Sequence, residues 1–291
     1  MTSTRVLVVD LDGTLIRSDM LFETFWAALS RNGTSLLAIA CSLLRGRAAL
    51  KSTLTKLSDV NVASLPYNEA VIAYIEQWRA QGGKTALATA SNQKLAEDIA
   101  AHLGVFDEVH GSTDTANLKG KHKAAFLASH FGDTPYAYMA DSSADIPVWE
   151  NAAKSITVDA SPSLKNSVEA IAQDVEHIGA PAAPARHMLR ALRPHQWLKN
   201  LLVFVPMLAA HQMTADNALT SLSAFVAFCL VASSVYVLND LLDLAADRAH
   251  PRKKERPFAS GRLHIAHGTW LAPVLFLAGF LIALAAGKQL A

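Results

Sequence analysis

The stretch VLVVDLDGTL carries two carboxylates, Asp10 and Asp12, at the end of an apolar run. Alternate residues of an extended segment point the same way, so both acids face one side. Gly13 then lets the chain turn, leaving them in the crevice where open α/β sheets bind ligands. Acids so placed suit phosphoryl chemistry: one can attack phosphorus while the other gives and takes a proton at the leaving oxygen. A second acidic group lies in SVYVLNDLLDLAADRAHPRKKERP, where Asp240, Asp243 and Asp247 follow an apolar run. On a helix, their i, i+3, i+7 spacing puts them on one face with Asn239 beside it. An acid at the bilayer centre costs roughly 2.5–3.5 kcal/mol. This face is therefore expected to line a polar cavity at the cytoplasmic mouth of a membrane helix. There a magnesium ion would relieve the repulsion and hold a diphosphate.

The elements around the first pair read as an α/β domain. Residues 5–178 alternate short apolar runs with amphipathic stretches, and RVLVVD, KTALATA, YAYMAD and SITVD are predicted as buried parallel strands. Leu21 to Gln81 is predicted as a helical insert, with Phe22, Phe25 and Trp26 at helical spacing as its core. GAPAAPA, 179–185, reads as a linker, giving domains 1–178 and 186–291. Beyond it, Leu219–Leu238 runs for twenty residues without a charge and Thr269–Gly287 for nineteen. Both are long enough to cross about 30 Å of hydrocarbon. Spans are expected near 199–213, 219–238 and 269–287, the first anchored by Trp197. Arg186, Arg190, Arg193 and Lys199 precede the first, and Arg248, Arg252, Lys253, Lys254, Arg256 and Arg262 lie between the last two. The positive-inside rule then places the N-terminal domain in the cytoplasm and the chain in the inner (cytoplasmic) membrane as a multi-pass protein.

Composition agrees with a membrane-attached chain: 51% of residues are hydrophobic and 18% charged. A net charge of +1 argues against nucleic acid as a partner. Cys41 and Cys229 are far apart, so no disulfide framework is expected, and the N-terminus lacks the pattern of a signal peptide.

Four motifs in order resemble the haloacid dehalogenase superfamily of phosphohydrolases: DLDGT, LATAS, LKGKHKAAFL and YMADSSADIPVW. The resemblance implies a Rossmann-like α/β domain with a helical cap, Asp10 as nucleophile and Asp12 as acid/base. It implies that Thr89 or Ser91 and Lys123, ahead of Lys119 and Lys121, hold phosphate oxygens. Magnesium would be held by Asp141 and Asp145 with Asp10 and Asp12. Family members usually carry glycine where this chain has Ala140, a departure that bears on close backbone approach.

The pattern N-D-x-x-D-x-x-x-D is similar to the first aspartate-rich motif of the UbiA superfamily of membrane prenyltransferases. The flanks LRPHQWLKNLLVFVPM and DRAHPRKKERPFASGRL look like the branch that makes decaprenylphosphoryl-5-phosphoribose. The resemblance implies an all-α helical bundle and a diphosphate donor bound by Asn239, Asp240, Asp243 and Asp247 with magnesium. Lys199, Arg256 and Arg262 would hold phosphates, and a polyprenyl phosphate within membrane lipid would be the acceptor. The phosphatase would act on a phosphorylated small molecule or a lipid-linked substrate, such as the 5-phosphate of the transferase product. A polyprenyl diphosphate donor with an aromatic acceptor is the alternative, and a phosphatase anchored by an inert membrane stub is another. A second aspartate-rich motif is absent, so the chain is expected to be a fragment or a stub that hydrolyses phosphate esters without group transfer.

Overall fold

A computed structural model describes residues 6–113, 117–181, 184–211 and 213–288. The chain divides into two compact units, Met1–Ala182 and Ala183–Ala291. Ala182 and Ala183 of the expected linker lie outside the described residues.

In the first unit the elements run β1 (Val6–Val9), α1 (Met20–Arg31), α2 (Ser35–Leu44), α3 (Arg47–Leu57), α4 (Glu69–Ala80), β2 (Lys84–Asn92), α5 (Gln93–Leu103) and β3 (Glu108–Ser112). They continue with α6 (Lys121–Phe131), β4 (Tyr136–Ala140), α7 (Ile146–Trp149), β5 (Lys154–Val158), α8 (Pro162–Glu169) and β6 (Val175–Ile178). The strands form one parallel sheet in the order β3-β2-β1-β4-β5-β6. Apolar side chains cover both faces, which is why the central strands read as nearly continuous hydrophobic runs. Leu7, Val9, Ala137 and Met139 face one core with Val71 and Ile75 of α4 and Ile99 of α5. Val6, Val8, Tyr138 and Ala140 face the other with Leu127 of α6 and Trp149 of α7. The chain order reverses between β1 and β4, and such a switch point opens a crevice at the strands' carboxyl ends.

The cap is smaller than the predicted insert. Helices α1–α3 enclose a cluster of Ala28, Ile39 and Leu54 with Phe25 against it. Trp26 is buried and meets Phe25 edge to face with centroids 5.1 Å apart. Helix α4, by contrast, belongs to the sheet core, because Val71 and Ile75 repeat four residues apart on its inner face.

The second unit contains α9 (Pro184–Ala191), a 3-10 helix over Pro194–Phe204, α10 (Val205–Ala209), α11 (Ala215–Leu242), α12 (Leu244–Ala249) and α13 (Ile265–Lys288). Among the described residues two helices, Ala215–Leu242 and Ile265–Gly287, are long and apolar enough to cross a membrane. The span expected near 199–213 is not a continuous α-helix. The segment passes from 3-10 to α at Val205, next to Pro206, which supplies no N–H to carry the preceding helix through. Gln212 lies outside the described residues. Helices α11 and α13 pack through small residues. A Cβ on Gly279 would lie 2.8 Å from Val231 Cγ2 and 2.9 Å from the Ala227 carbonyl, so only glycine permits this approach. Ser234 Oγ also donates to the Ala272 carbonyl at 2.8 Å.

Candidate functional site

The carboxyl ends of β1, β2 and β4 bring the predicted phosphoryl-site residues together. Asp10 follows β1 directly, its backbone N–H held by the Met139 carbonyl of β4 at 2.9 Å. Its Oδ1 accepts from Lys123 Nζ at 2.8 Å, and the same ammonium donates to Asp145 Oδ1 at 3.1 Å. Lys123 enters from the first turn of α6 and is buried; Lys119 and Lys121 are exposed. Asp12 Oδ1 accepts from the Met20 N–H at 2.7 Å, and its Oδ2 accepts from Ser91 Oγ at 2.8 Å. Thr89 is buried, and its Oγ1 accepts the Ser91 N–H at 3.0 Å. Asp141 follows β4 and accepts from Thr14 Oγ1 at 3.0 Å. Gly13 adopts φ +78°, and a Cβ there would sit 2.2 Å from Asp141 Oδ2. The motif's glycine thus admits the second acidic strand end as well as making the turn.

Electrostatics sets this constellation apart. Four carboxylates, Asp10, Asp12, Asp141 and Asp145, meet one buried ammonium, Lys123. Burial pushes Asp10 up to about 6 against the pull of Lys123, with Asp145 adding to the rise. Burial, then the charges of Asp19 and Asp10, pushes Asp12 up to about 7. Burial and Asp10 likewise push Asp141 up to about 7. For Lys123, burial opposes the charged form, but Asp10 and Asp145 outweigh it and hold its pKa above the ordinary lysine value. Hard carboxylate oxygens with excess negative charge fit a hard divalent cation.

Sequence reading missed three participants here. Tyr138 Oη takes a hydrogen bond from Lys123 at 2.9 Å and donates to Asp145 Oδ1 at 3.0 Å, fixing both. Thr14 orients Asp141, and Asp19 caps α1 while raising Asp12. Thr14 closes DLDGT itself and Asp19 lies five residues beyond it, so both could have been found there; Tyr138 looks like any core aromatic of a buried strand.

The second acidic group is arranged differently from its predicted form. Helix α11 ends at Leu242, and Asp243 forms the junction with α12, its N–H returning to the Asn239 carbonyl at 2.9 Å. The Asp247 N–H returns in turn to the Asp243 carbonyl at 2.7 Å, so helical bonding runs on through the junction, yet the three aspartates differ in burial. Asp240 and Asp247 are buried and meet at Arg256, which donates to them at 3.1 and 2.6 Å; Asp243 and Asn239 are exposed. Arg193, in a left-handed conformation with φ 52°, also donates to Asp240 and lies over the Tyr236 ring at 5.1 Å. Asp247 Oδ1 is buried without a hydrogen bond, with Lys253 Nζ 3.8 Å away. Of the predicted phosphate holders, Arg256 joins the cluster, Arg262 pairs with Glu255 at 2.8 Å, and Lys199 is exposed. From sequence alone Arg193 counts only as one of the positive charges that set topology.

Comparison with known proteins agrees with this division. Residues 7–150 match the family model of haloacid dehalogenase-like hydrolases, and residues 200–291 match the UbiA prenyltransferase family. The first unit is thus similar to haloacid dehalogenase-like hydrolases and the second to part of the UbiA family. It is 37% identical to an uncharacterised protein of Sinorhizobium fredii over 98% of this chain and 55% of that protein. It is 48% identical to a decaprenyl-phosphate phosphoribosyltransferase of Mycolicibacterium smegmatis over 28% of each chain. The chain therefore spans about half the length of the first relative and less of the second. A solved phosphoserine phosphatase complex aligns with a TM-score of 0.43 at 17% identity, covering 65% of this chain and 99% of that one.

Proposed function

We propose that the first unit is a magnesium-dependent phosphatase working through an aspartyl-phosphate. The observation that carries this reading is the meeting of Asp10, Asp12, Asp141 and Asp145 with Lys123 at the β1–β4 switch point. Asp10 attacks phosphorus, the bond from phosphorus to the ester oxygen breaks, and Asp12 gives its proton to the departing alkoxide. Asp12 then takes a proton from the water that attacks the phosphoryl group, releasing inorganic phosphate and restoring Asp10. An acid raised to about 7 is suited to both roles near neutral pH. Lys123 and the hydroxyls of Thr89 and Ser91 hold phosphate oxygens. Magnesium, held by Asp10, Asp141 and Asp145, would neutralise the repulsion between nucleophile and phosphate and leave the Asp12 carboxyl to carry its proton. The reading is tested by incubating the full chain with a phosphate monoester and magnesium. Phosphate release that vanishes in Asp10→Asn while its thermal melt shows the variant folded supports it; equal release from that variant refutes it.

For the second unit we propose the phosphoribosyl-transferring reading over an aromatic acceptor. The support is the similarity to the decaprenyl-phosphate phosphoribosyltransferase and the basic pair Arg193 and Arg256 at buried Asp240 and Asp247. A donor diphosphate would compete for these arginines, releasing carboxylates for magnesium; Asp247 Oδ1 already accepts no hydrogen bond and has Lys253 only at 3.8 Å. The product would carry a 5-phosphate on a lipid-linked sugar, a substrate for the phosphatase, and linkage in one chain raises its effective concentration. Feeding the intact membrane protein each donor separates the readings, and purified product offered to the phosphatase tests their coupling. The N-terminal unit would lie on the cytoplasmic side of the inner membrane.

A further inference from the structure

Helix α2 of the cap wears its apolar side outward. Its sequence, SLLAIACSLL, contains no charge, yet its buried positions are Ser35, Ile39 and Ser42. Ile39 is the only large apolar side chain it gives to the cap core. Its leucines face solvent: Leu36 is 53% exposed, Leu37 75%, Leu43 57% and Leu44 89%, with Cys41 exposed among them. An amphipathic helix on a water-soluble domain does the reverse, so this helix is shaped for an apolar environment outside the domain.

The charges around it identify that environment. From Thr24 to Ser58 there is no aspartate or glutamate, while Arg31, Arg45, Arg47, Lys51 and Lys56 give five positive charges. Arg31 and Arg45 flank the two ends of α2 and are exposed. Exposed leucines edged by arginine match an anionic lipid surface, where apolar side chains enter the acyl boundary and cations stay among the headgroups. The same chain carries two helices of membrane length, so a bilayer is always at hand. We infer that α2 is an interfacial membrane anchor that docks the cap onto anionic phospholipid. The docking itself goes beyond the catalytic reading and stands without it.

Cys41 offers a native probe in the middle of this face. In the full chain carrying Cys229→Ala, Cys41 is the sole thiol. An environment-sensitive fluorophore is attached there, and the protein is placed at one copy per nanodisc, in phosphatidylcholine alone or with added phosphatidylglycerol. The expected result is a blue-shifted label in anionic discs, quenched severalfold more by nitroxide lipid than by an aqueous quencher. Leu37→Glu with Leu44→Glu should return the label to water without moving the thermal unfolding curve, since both side chains are already exposed. Should that pair unfold the cap, Arg31→Glu with Arg45→Glu tests the electrostatic half of the contact instead. A label that stays aqueous in anionic discs overturns the proposal. So does a blue shift seen only when two copies share a disc, which would make α2 a self-association face.

Discussion

The two acidic groups of this chain solve the same electrostatic problem in opposite ways. At the β1–β4 crevice, Asp10, Asp12, Asp141 and Asp145 outnumber their one buried cation, Lys123. In the second unit, Asp240 and Asp247 are met by Arg193 and Arg256, with Lys253 nearby. The first group is left short of positive charge and built on the ends of a rigid sheet, so it stands ready for a cation. The second is neutralised by its own chain, so a ligand there must displace arginine before carboxylates become available. Charge balance, more than the number of aspartates, separates a waiting metal site from a latched one.

Several substitutions probe this contrast, beginning with the most severe. Asp10→Asn keeps the shape but removes the attacking carboxylate, and we expect hydrolysis to disappear while the melting temperature holds or rises. Relief of repulsion among crowded carboxylates accounts for the rise. Asp12→Asn should lower kcat by about 10²–10⁴, the usual contribution of a positioned proton donor. Steady-state kinetics on a monoester distinguish the two.

Magnesium and pH give a milder but more diagnostic readout. Asp10, Asp12 and Asp141 have folded-state pKa values raised to about 6, 7 and 7 from an ordinary 3.8. Between these limits the folded, metal-free protein binds more protons than the unfolded chain. Its stability is therefore fully present below about pH 4 as far as these groups go, and falls as pH rises toward 7. Added magnesium should restore the loss, and its affinity should climb with pH through the same window because it binds the deprotonated carboxylates. Thermal melts of the full chain at several pH values, with magnesium or with chelator, check both signs. A metal-free melting temperature that rises from pH 5 to 7 would break the comparison, since the first group would then be as balanced as the second.

How much of this was legible in the sequence depends on the distance over which each feature is determined. DLDGT, the LATAS strand end and Lys123 were legible because a strand followed by a turn, or a helix start, positions them locally. Tyr138 was not: its role arises where α6 and the loop after β4 converge, 15 and 7 residues away along the chain. The fold class followed from alternating runs, but the boundary of the cap did not, because α4 carries the same periodicity whether it packs on a cap or a sheet. In the second unit the i, i+3, i+7 spacing could not show that Arg193 and Arg256 take Asp240 and Asp247 while Asp243 stays exposed. The apolar segment near 199–213 is helical but passes from 3-10 to α at Val205, a change that composition does not announce.

Arg256→Met sharpens the contrast from the other side. Removing this guanidinium leaves Asp240 with Arg193 and Asp247 with only the more distant Lys253. Removing one partner of a buried ion pair costs about 3–5 kcal/mol, so unfolding of the second unit in nanodiscs should move by up to that amount. Magnesium should then recover part of the loss, because the substitution converts a latched pair into an acid excess like that of the first unit.

The smallest expected effect concerns Asp243. It is exposed at the α11–α12 junction, and its side chain joins neither Arg193 nor Arg256 among the described contacts. Asp243→Asn should therefore change stability by less than about 0.5 kcal/mol, as surface substitutions usually do. Asp247→Asn, by contrast, alters a buried carboxylate held at 2.6 Å by Arg256 and should be clearly felt. The informative comparison is binding of phosphoribosyl diphosphate with magnesium to the two variants in the intact membrane protein. If only Asp247→Asn weakens binding, the donor is held by the buried pair as it stands in this structure. If both weaken it equally while their stabilities differ, the junction must turn Asp243 inward when donor and metal arrive. The second unit would then become, in its loaded state, the same kind of carboxylate-rich cation site that the first already is.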